Sequence, residues 1–162
     1  MGQAEAAAVN QAKALVWDSN MGNQGGQLGV GIYCTTFSMG YLYENWHASL
    51  TATSSSKWAN VKKAWIPQQA TVNGQNLNLF SNEQNIVAYL TSLGLDPART
   101  VRMAKQDDYI QYLLPPALVT GNPLSIKAVA VQGLETIGFN YVDYTSWANI
   151  VNPEAEPYAV SY

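Results

Sequence analysis

The spacing of apolar residues predicts helices in the first third of the chain. Residues 3–17 carry alanine, valine and leucine at intervals of three and four, which is the spacing of one helix face. Residues 33–50 place apolar side chains on two sides of a helical wheel, a pattern typical of a buried central helix. Between these segments, residues 20–31 contain five glycines among polar residues and are expected to form a loop.

Local signals predict a short helix and a hairpin in the middle of the chain. Two tryptophans and a valine within residues 58–65 have the spacing of a short helix, which ends before Pro67. Asn73-Gly74 lies between two strand-like runs, and this dipeptide favours the type I′ turn of a β-hairpin.

The remaining residues predict two helices followed by two strands. Ser81 and Gln84 have the spacing of a capping box, which predicts a helix that ends before Gly94. A helix is also expected over residues 105–114, where two prolines end it. Apolar and polar residues alternate in two later segments, which predict strands over residues 124–132 and 137–144.

Length and composition favour one domain with a neutral polar surface. The chain has 162 residues, of which 48% are apolar and 12% charged, and no repeat or linker divides it. We therefore expect a single α+β domain over residues 1–162. Abundant Asn, Gln, Ser and Thr favour a secreted or surface-exposed protein. The net charge of −3 excludes a basic stripe for nucleic acid or for an anionic membrane surface.

The chain's one cysteine and one histidine limit the chemistry that it can perform. A single cysteine excludes an intrachain disulfide, and a single histidine excludes the usual zinc sites. The glycines of residues 25–31 lack the Lys and Ser/Thr of a phosphate loop. We therefore expect no metal and no cofactor. On the predicted helix, His47 points away from Cys34 and is not its partner.

Cys34 would open the predicted central helix, directly after the glycine-rich loop. The unpaired N–H groups and the dipole at a helix N-terminus stabilise a thiolate, and a nearby glutamine could donate to an oxyanion. The alternative is that Cys34 is a small buried hydrophobic residue.

Two motifs resemble those of the papain-like cysteine peptidases, whose nucleophile opens a central helix that precedes an antiparallel sheet. The first is Asn23-Gln24-Gly25, and the second is the run from Cys34 to Ser38, Cys-Thr-Thr-Phe-Ser. The resemblance implies that Cys34 is the nucleophile and Gln24 the oxyanion donor, with Gln27 as its substitute. Cys34 lies ten residues after Gln24, which is several more than the family has.

A weaker resemblance near the end of the chain lacks the catalytic histidine of that family. In one register Tyr158 takes the histidine's place. In the other Leu134 does, and Asn152 then takes the third catalytic position. The resemblance implies a papain-like domain that has lost its general base and acts by binding a protein or peptide, or part of such a domain that ends before the histidine strand. An enzyme with a different base, or with a histidine from another chain, is the variant of this hypothesis.

A second hypothesis is a structural or surface-assembly protein, such as a virion or secreted-layer subunit. Low charge, abundant Asn and Gln and many aromatic residues suggest it. Self-assembly would then bury a large apolar area between copies.

Overall fold

The computed structural model describes residues 1–20, 23–38, 45–106, 109–138 and 141–152. These residues form an α+β fold, as the sequence predicted. The helices are α1 (Gln3–Ala12), α2 (Ser55–Asn60), α3 (Glu83–Ser92) and α4 (Pro116–Val119). The strands are β1 (Asn23–Gly26), β2 (Gly29–Thr35), β3 (Trp46–Ala52), β4 (Lys62–Trp65), β5 (Gln69–Val72), β6 (Gln75–Asn78), β7 (Thr100–Gln106), β8 (Tyr109–Leu114), β9 (Ile126–Gln132) and β10 (Ile150–Val151).

The main sheet has six strands in the order β1-β2-β8-β7-β4-β10. Neighbouring strands of this sheet are antiparallel from β1 through β2 and β8 to β7, whereas β4 runs parallel to both β7 and β10. Two further pairs stand outside this sheet, the β5–β6 hairpin and an antiparallel ribbon of β3 and β9.

Alternate residues of the main sheet face two different cores. Tyr33 and Leu113 point to the face covered by α3 and the β5–β6 hairpin. Cys34 and Leu114 point to the opposite face, where the core continues into the β3–β9 ribbon. Helix α1 packs on the inner face of that ribbon, with Ala6 and Val9 against two β9 alanines, Ala128 and Ala130. Both faces of the central strands are therefore buried.

Three predicted elements are confirmed. Asn73 and Gly74 have φ of 50° and 79°, as the turn of the β5–β6 hairpin requires. Helix α3 ends ahead of Gly94, whose φ is 71°. The N-cap of this helix is Asn82 rather than Ser81, because the Asn82 side chain accepts from the amide of Asn85 at 3.1 Å. Strand β9 lies within the predicted segment.

The predicted central helix carrying Cys34 is wrong. Cys34 lies in β2, and residues 46–52 form β3; residues 39–44 of the predicted helix lie outside the described part. Ile32 and Cys34 face one core while Tyr33 faces the other. A strand buried on both faces carries apolar residues at every position, which a helical wheel also accommodates.

Other boundaries and elements also differ from the prediction. Helix α1 ends at Ala12, and the predicted loop over residues 20–31 contains β1 and the start of β2. The short helix begins earlier, at Ser55, and is followed by β4. The predicted helix over residues 105–114 is replaced by the end of β7 and by β8, which is also buried on both faces. Residues 139 and 140 of the predicted strand over residues 137–144 lie outside the described part; the described residues of this segment form no strand, but Tyr141 makes a bridge with Phe37.

Candidate functional site

A cleft of about 580 Å³ lies between α1, β2 and β3. Its walls are α1, residues 15–18, residues 31–38 and residues 46–50, together with Tyr112, Ile137 and Val142. These segments are far apart in the chain, so the cleft exists only in the folded protein. Its volume lies within the range of small-molecule and peptide pockets, roughly 300–1,000 Å³.

The cleft has aromatic walls and an apolar rim. The aromatic residues that line it include Trp17, Phe37, Trp46 and Tyr112. Val16 and Val142 also line it, although they are 38% and 45% exposed. Apolar side chains left in solvent around a concave surface indicate a place where another molecule binds.

Strand β3 turns one edge of its backbone away from β9. The ladder with β9 continues at both ends, where Gly133 donates to the carbonyl of Asn45 at 3.0 Å and Thr53 donates to that of Ser125 at 2.9 Å. Because ladder hydrogen bonds fall on alternate residues, the even-numbered residues of β3 direct their N–H and C=O groups outward. The carbonyl of Trp46 accordingly accepts from the amino group of Met1 at 3.0 Å.

The outer edge of β9 is covered by polar groups. The Asn10 side chain pairs with Ala130, accepting from its amide at 2.9 Å and donating to its carbonyl at 2.8 Å. The Asn122 side chain pairs with Ile126 in the same way, at 2.8 and 3.0 Å. Between them, the amide of Ala128 donates to a carbonyl at the end of α1, at 3.1 Å. This edge is closed to further strands.

The outer edge of β3 is not covered in this way. The outward backbone groups of Ala48 and Leu50 make no hydrogen bond to any residue that the structure describes, and both residues line the cleft. We call these groups the open edge of β3. Trp46, Ala48 and Leu50 alternate with polar residues, and this period of two was the sequence signal that could have revealed the strand.

The thiol of Cys34 lies in the wall of the cleft and is 8% exposed. Its Sγ is 3.9 Å from the carbonyl oxygen of Ile32. Burial raises the pKa of Cys34 to about 12, and a hydrogen bond with the Tyr112 hydroxyl opposes this shift only in part. Burial also raises the pKa of Tyr112. Because Cys34 is in a strand, no helix dipole stabilises a thiolate, and the papain-like resemblance loses the helix that carried it.

Gln24 and its substitute Gln27 do not lie beside Cys34. Gln24 pairs with Val30, four residues before Cys34 and therefore about 13 Å along β2. The Gln27 side chain donates to the carbonyl of Lys105 at 3.1 Å and accepts from Gln111, on the sheet face away from Cys34.

Asn152 lies still farther from the thiol. Its side chain donates to the hydroxyl of Tyr89 at 2.9 Å, on the α3 face of the sheet. It directly follows β10, which is four strand spacings, about 19 Å, from β2. The residues suggested for catalysis are therefore not brought together.

His47 lines the same cleft as Cys34. Cys34 lies in β2 and His47 in β3, so the two residues do not share one helix. Among the described residues no hydrogen bond joins the imidazole to the thiol. The pair lacks the contact that a nucleophile needs with its general base.

The part of the chain that the structure describes contains neither a membrane-spanning helix nor a group of metal-binding side chains. No helix there is long and apolar enough to cross a membrane. No three His, Cys, Asp or Glu side chains there are grouped so that they could hold a metal ion.

A family model described as "Family of unknown function (DUF5910)" matches residues 26–153. No curated protein and no solved structure matches the chain. The matched segment contains β2, β3 and β9, and it leaves out α1.

Proposed function

The chain belongs to the DUF5910 family of unknown function, and we propose that it binds an extended peptide segment of a partner protein. The segment would add as a third strand to the open edge of β3. The observation that carries this proposal is the difference between the two edges of one ribbon. Asn10 and Asn122 cover the β9 edge, whereas the β3 edge borders a cavity. An uncovered strand edge is a template for another strand.

The dimensions of the cleft support a peptide of four or five residues. The cavity follows residues 46–50, which span about 13 Å of strand. The amides and carbonyls of Ala48 and Leu50 would pair with alternate residues of the ligand and give affinity independent of sequence. The aromatic walls, Trp17 and Trp46 among them, would contact the ligand's side chains and give specificity.

The chemistry of the cleft supports binding rather than cleavage. Peptide hydrolysis by Cys34 needs a thiolate and a base that forms it. Burial keeps the Cys34 thiol neutral, and His47 makes no hydrogen bond to it among the described residues. A bound peptide would therefore be held and released intact.

The experiment that tests the proposal selects heptapeptides from a phage-displayed random library and maps the backbone groups that they use. One selected peptide is resynthesised with a single N-methyl amide at each position in turn. Strand addition predicts that N-methylation at alternate residues weakens binding at least tenfold, while the intervening positions change it less than twofold. Equal sensitivity at neighbouring positions, or no selected peptide, would overturn the proposal.

A proline substitution tests the same edge from the protein's side. Ala48→Pro removes an outward amide and leaves the ladder with β9 intact, because proline is tolerated on an edge strand. We expect at least a tenfold loss of peptide affinity. Ala52→Pro is the matched control, since Ala52 has the same outward orientation but does not line the cleft. Thermal unfolding checks that both variants fold. If one does not, the N-methyl peptides still test the proposal with the wild-type protein.

Two other occupants are outcomes of this test. The aromatic walls also suit a small apolar ligand. If such a compound competes with the peptide and Ala48→Pro does not change its binding, the ligand of the cleft is a small molecule and not a peptide. Pairing of two β3 edges between copies would give a dimer in sedimentation velocity that Ala48→Pro dissociates. That result would favour self-assembly over a separate partner.

A further inference from the structure

We infer that the segment bound at β3 is basic and that it carries arginine among the side chains directed into the cleft. This inference rests on the proposed strand addition and adds the chemical class of the partner. It is carried by the charges and aromatic rings that line the cleft, which differ from the backbone groups that carry the proposed function.

The charged side chains of the cleft are acidic. Glu5 on α1 and Asp18 after α1 both line it, and no lysine or arginine is among its described lining residues. The one amino group there, that of Met1, donates to the carbonyl of Trp46. A cationic side chain would therefore meet complementary charge, and an anionic one would meet repulsion.

Each of these carboxylates has an oxygen available to a ligand. One oxygen of Glu5 accepts from the amide of Gly2 at 2.8 Å, and one of Asp18 accepts from the amide of Asn20 at 2.8 Å. The other oxygen of each has no hydrogen bond to any residue in the described ranges. The local bonds hold both side chains in place before a ligand arrives, which lowers the entropic cost of binding.

The aromatic walls favour arginine over lysine. Trp17 and Trp46 line the cleft together with Glu5 and Asp18. A guanidinium stacks on an indole face and donates to a carboxylate through two N–H groups at once, whereas an ammonium group does so as a point charge. The combination of rings and carboxylates therefore suits a guanidinium.

Four acetylated and amidated heptapeptides test this inference. Threonine alternates in them with arginine, lysine, glutamine or glutamate, and affinities are measured by calorimetry in 50 mM salt. We expect the arginine peptide to bind at least ten times more tightly than the glutamine peptide and about three times more tightly than the lysine peptide. The glutamate peptide should bind most weakly. Raising the salt to 300 mM should weaken only the two basic peptides.

Isosteric variants identify the carboxylates that act. Glu5→Gln with Asp18→Asn should bring the arginine and glutamine peptides to within threefold of each other. Asp96→Asn is the matched control, because Asp96 accepts from an amide two residues later as Asp18 does, but lies outside the cleft. This control should keep the tenfold preference.

The outcomes separate this inference from the proposed function. If all four peptides bind equally and Ala48→Pro abolishes binding, strand addition holds and the basic partner is wrong. A lysine peptide that matches the arginine peptide overturns the role of guanidinium stacking. If no peptide binds, and the library also selects none, both proposals fail.

Discussion

The guanidinium of Arg102 and the carboxylate of Glu83 form a two-point ion pair that joins β7 to the start of α3. Nη1 lies 2.7 Å from Oε2, and Nη2 lies 2.8 Å from Oε1. The Arg102 side chain is 3% exposed and also donates to the carbonyl of Leu28 at 2.9 Å. Oε2 accepts in addition from the amide of Val30 at 2.9 Å. The pair therefore fixes the β1–β2 turn against α3.

Glu83→Gln should destabilise the protein by about 3 kcal/mol, because it leaves the Arg102 cation buried without its counter-charge. The free energy of unfolding, measured by urea denaturation at pH 7, checks this expectation. Glu135→Gln removes an exposed carboxylate and should change that free energy by less than about 0.5 kcal/mol. A loss below about 1 kcal/mol for Glu83→Gln would mean that the ion pair is not important for stability.

Gly29→Ala should unfold the protein or cost more than about 3 kcal/mol. Gly29 has φ of +89°, and an added Cβ would meet the Glu83 carboxylate and come within 2.6 Å of Arg102 Nη1. Gly121→Ala is the matched control, because its φ is +73° and no atom lies within 4 Å of an added Cβ. It should cost about 1 kcal/mol, from backbone strain alone. Equal effects in calorimetric unfolding would contradict the steric explanation.

The sequence predicted those elements whose signals are local. Asn73-Gly74 specifies its turn by the conformation of two residues, and α3 combines one apolar stripe with a cap and a terminal glycine. Strands β2 and β8 have no such signal. Because they are buried on both faces, their apolar residues do not alternate with polar ones. The same residues therefore also fit the pattern of a buried helix.

The candidate site was less predictable than the fold. Cys34 was identified as a possible site residue from a helix that does not form, and Asn152 from a motif on the other face of the sheet. The edge of β3 is open because Asn10 and Asn122 cover the outer edge of β9 and not that of β3. The Asn122 contact is local, four residues from Ile126, but the Asn10 contact with Ala130 spans 120 residues, which no local pattern reports.

The buried side chain of Lys63, in β4, connects one carbonyl of α2 with two carbonyls outside the helices. The Nζ of Lys63 donates to the carbonyls of Trp58, Val61 and Ala148 at 2.6, 3.1 and 3.1 Å. It also lies 4.9 Å from the centroid of the Trp58 ring. Burial lowers the pKa of Lys63 from its ordinary 10.5 to about 8.

Lys63→Met should cost about 2 kcal/mol at pH 7, because three carbonyls lose their donor. Between pH 8 and 10.5 the unfolded chain holds a proton that folded Lys63 has released. The wild type should therefore gain stability relative to the variant as the pH rises through this range. Urea denaturation at pH 7, 8.5 and 10 measures the difference. Lys62→Met, at an exposed neighbour, should show no such trend.

The Cys34 thiol should react slowly with iodoacetamide in the folded protein, with no inflection below pH 9. Its folded pKa of about 12 lies above the ordinary pKa of a thiol, about 8.5. In 6 M guanidinium the same thiol should react fast, with an inflection near that ordinary value.

Since the folded state keeps the thiol proton while the unfolded state loses it, Cys34 stabilises the fold fully below about pH 8.5. This contribution declines as the pH rises toward 12, and Cys34→Ala should remove the decline. The rate of alkylation is measured by intact mass against time at each pH. Fast labelling of the folded protein at pH 6 would show an accessible thiolate, and Cys34 would again be a candidate nucleophile.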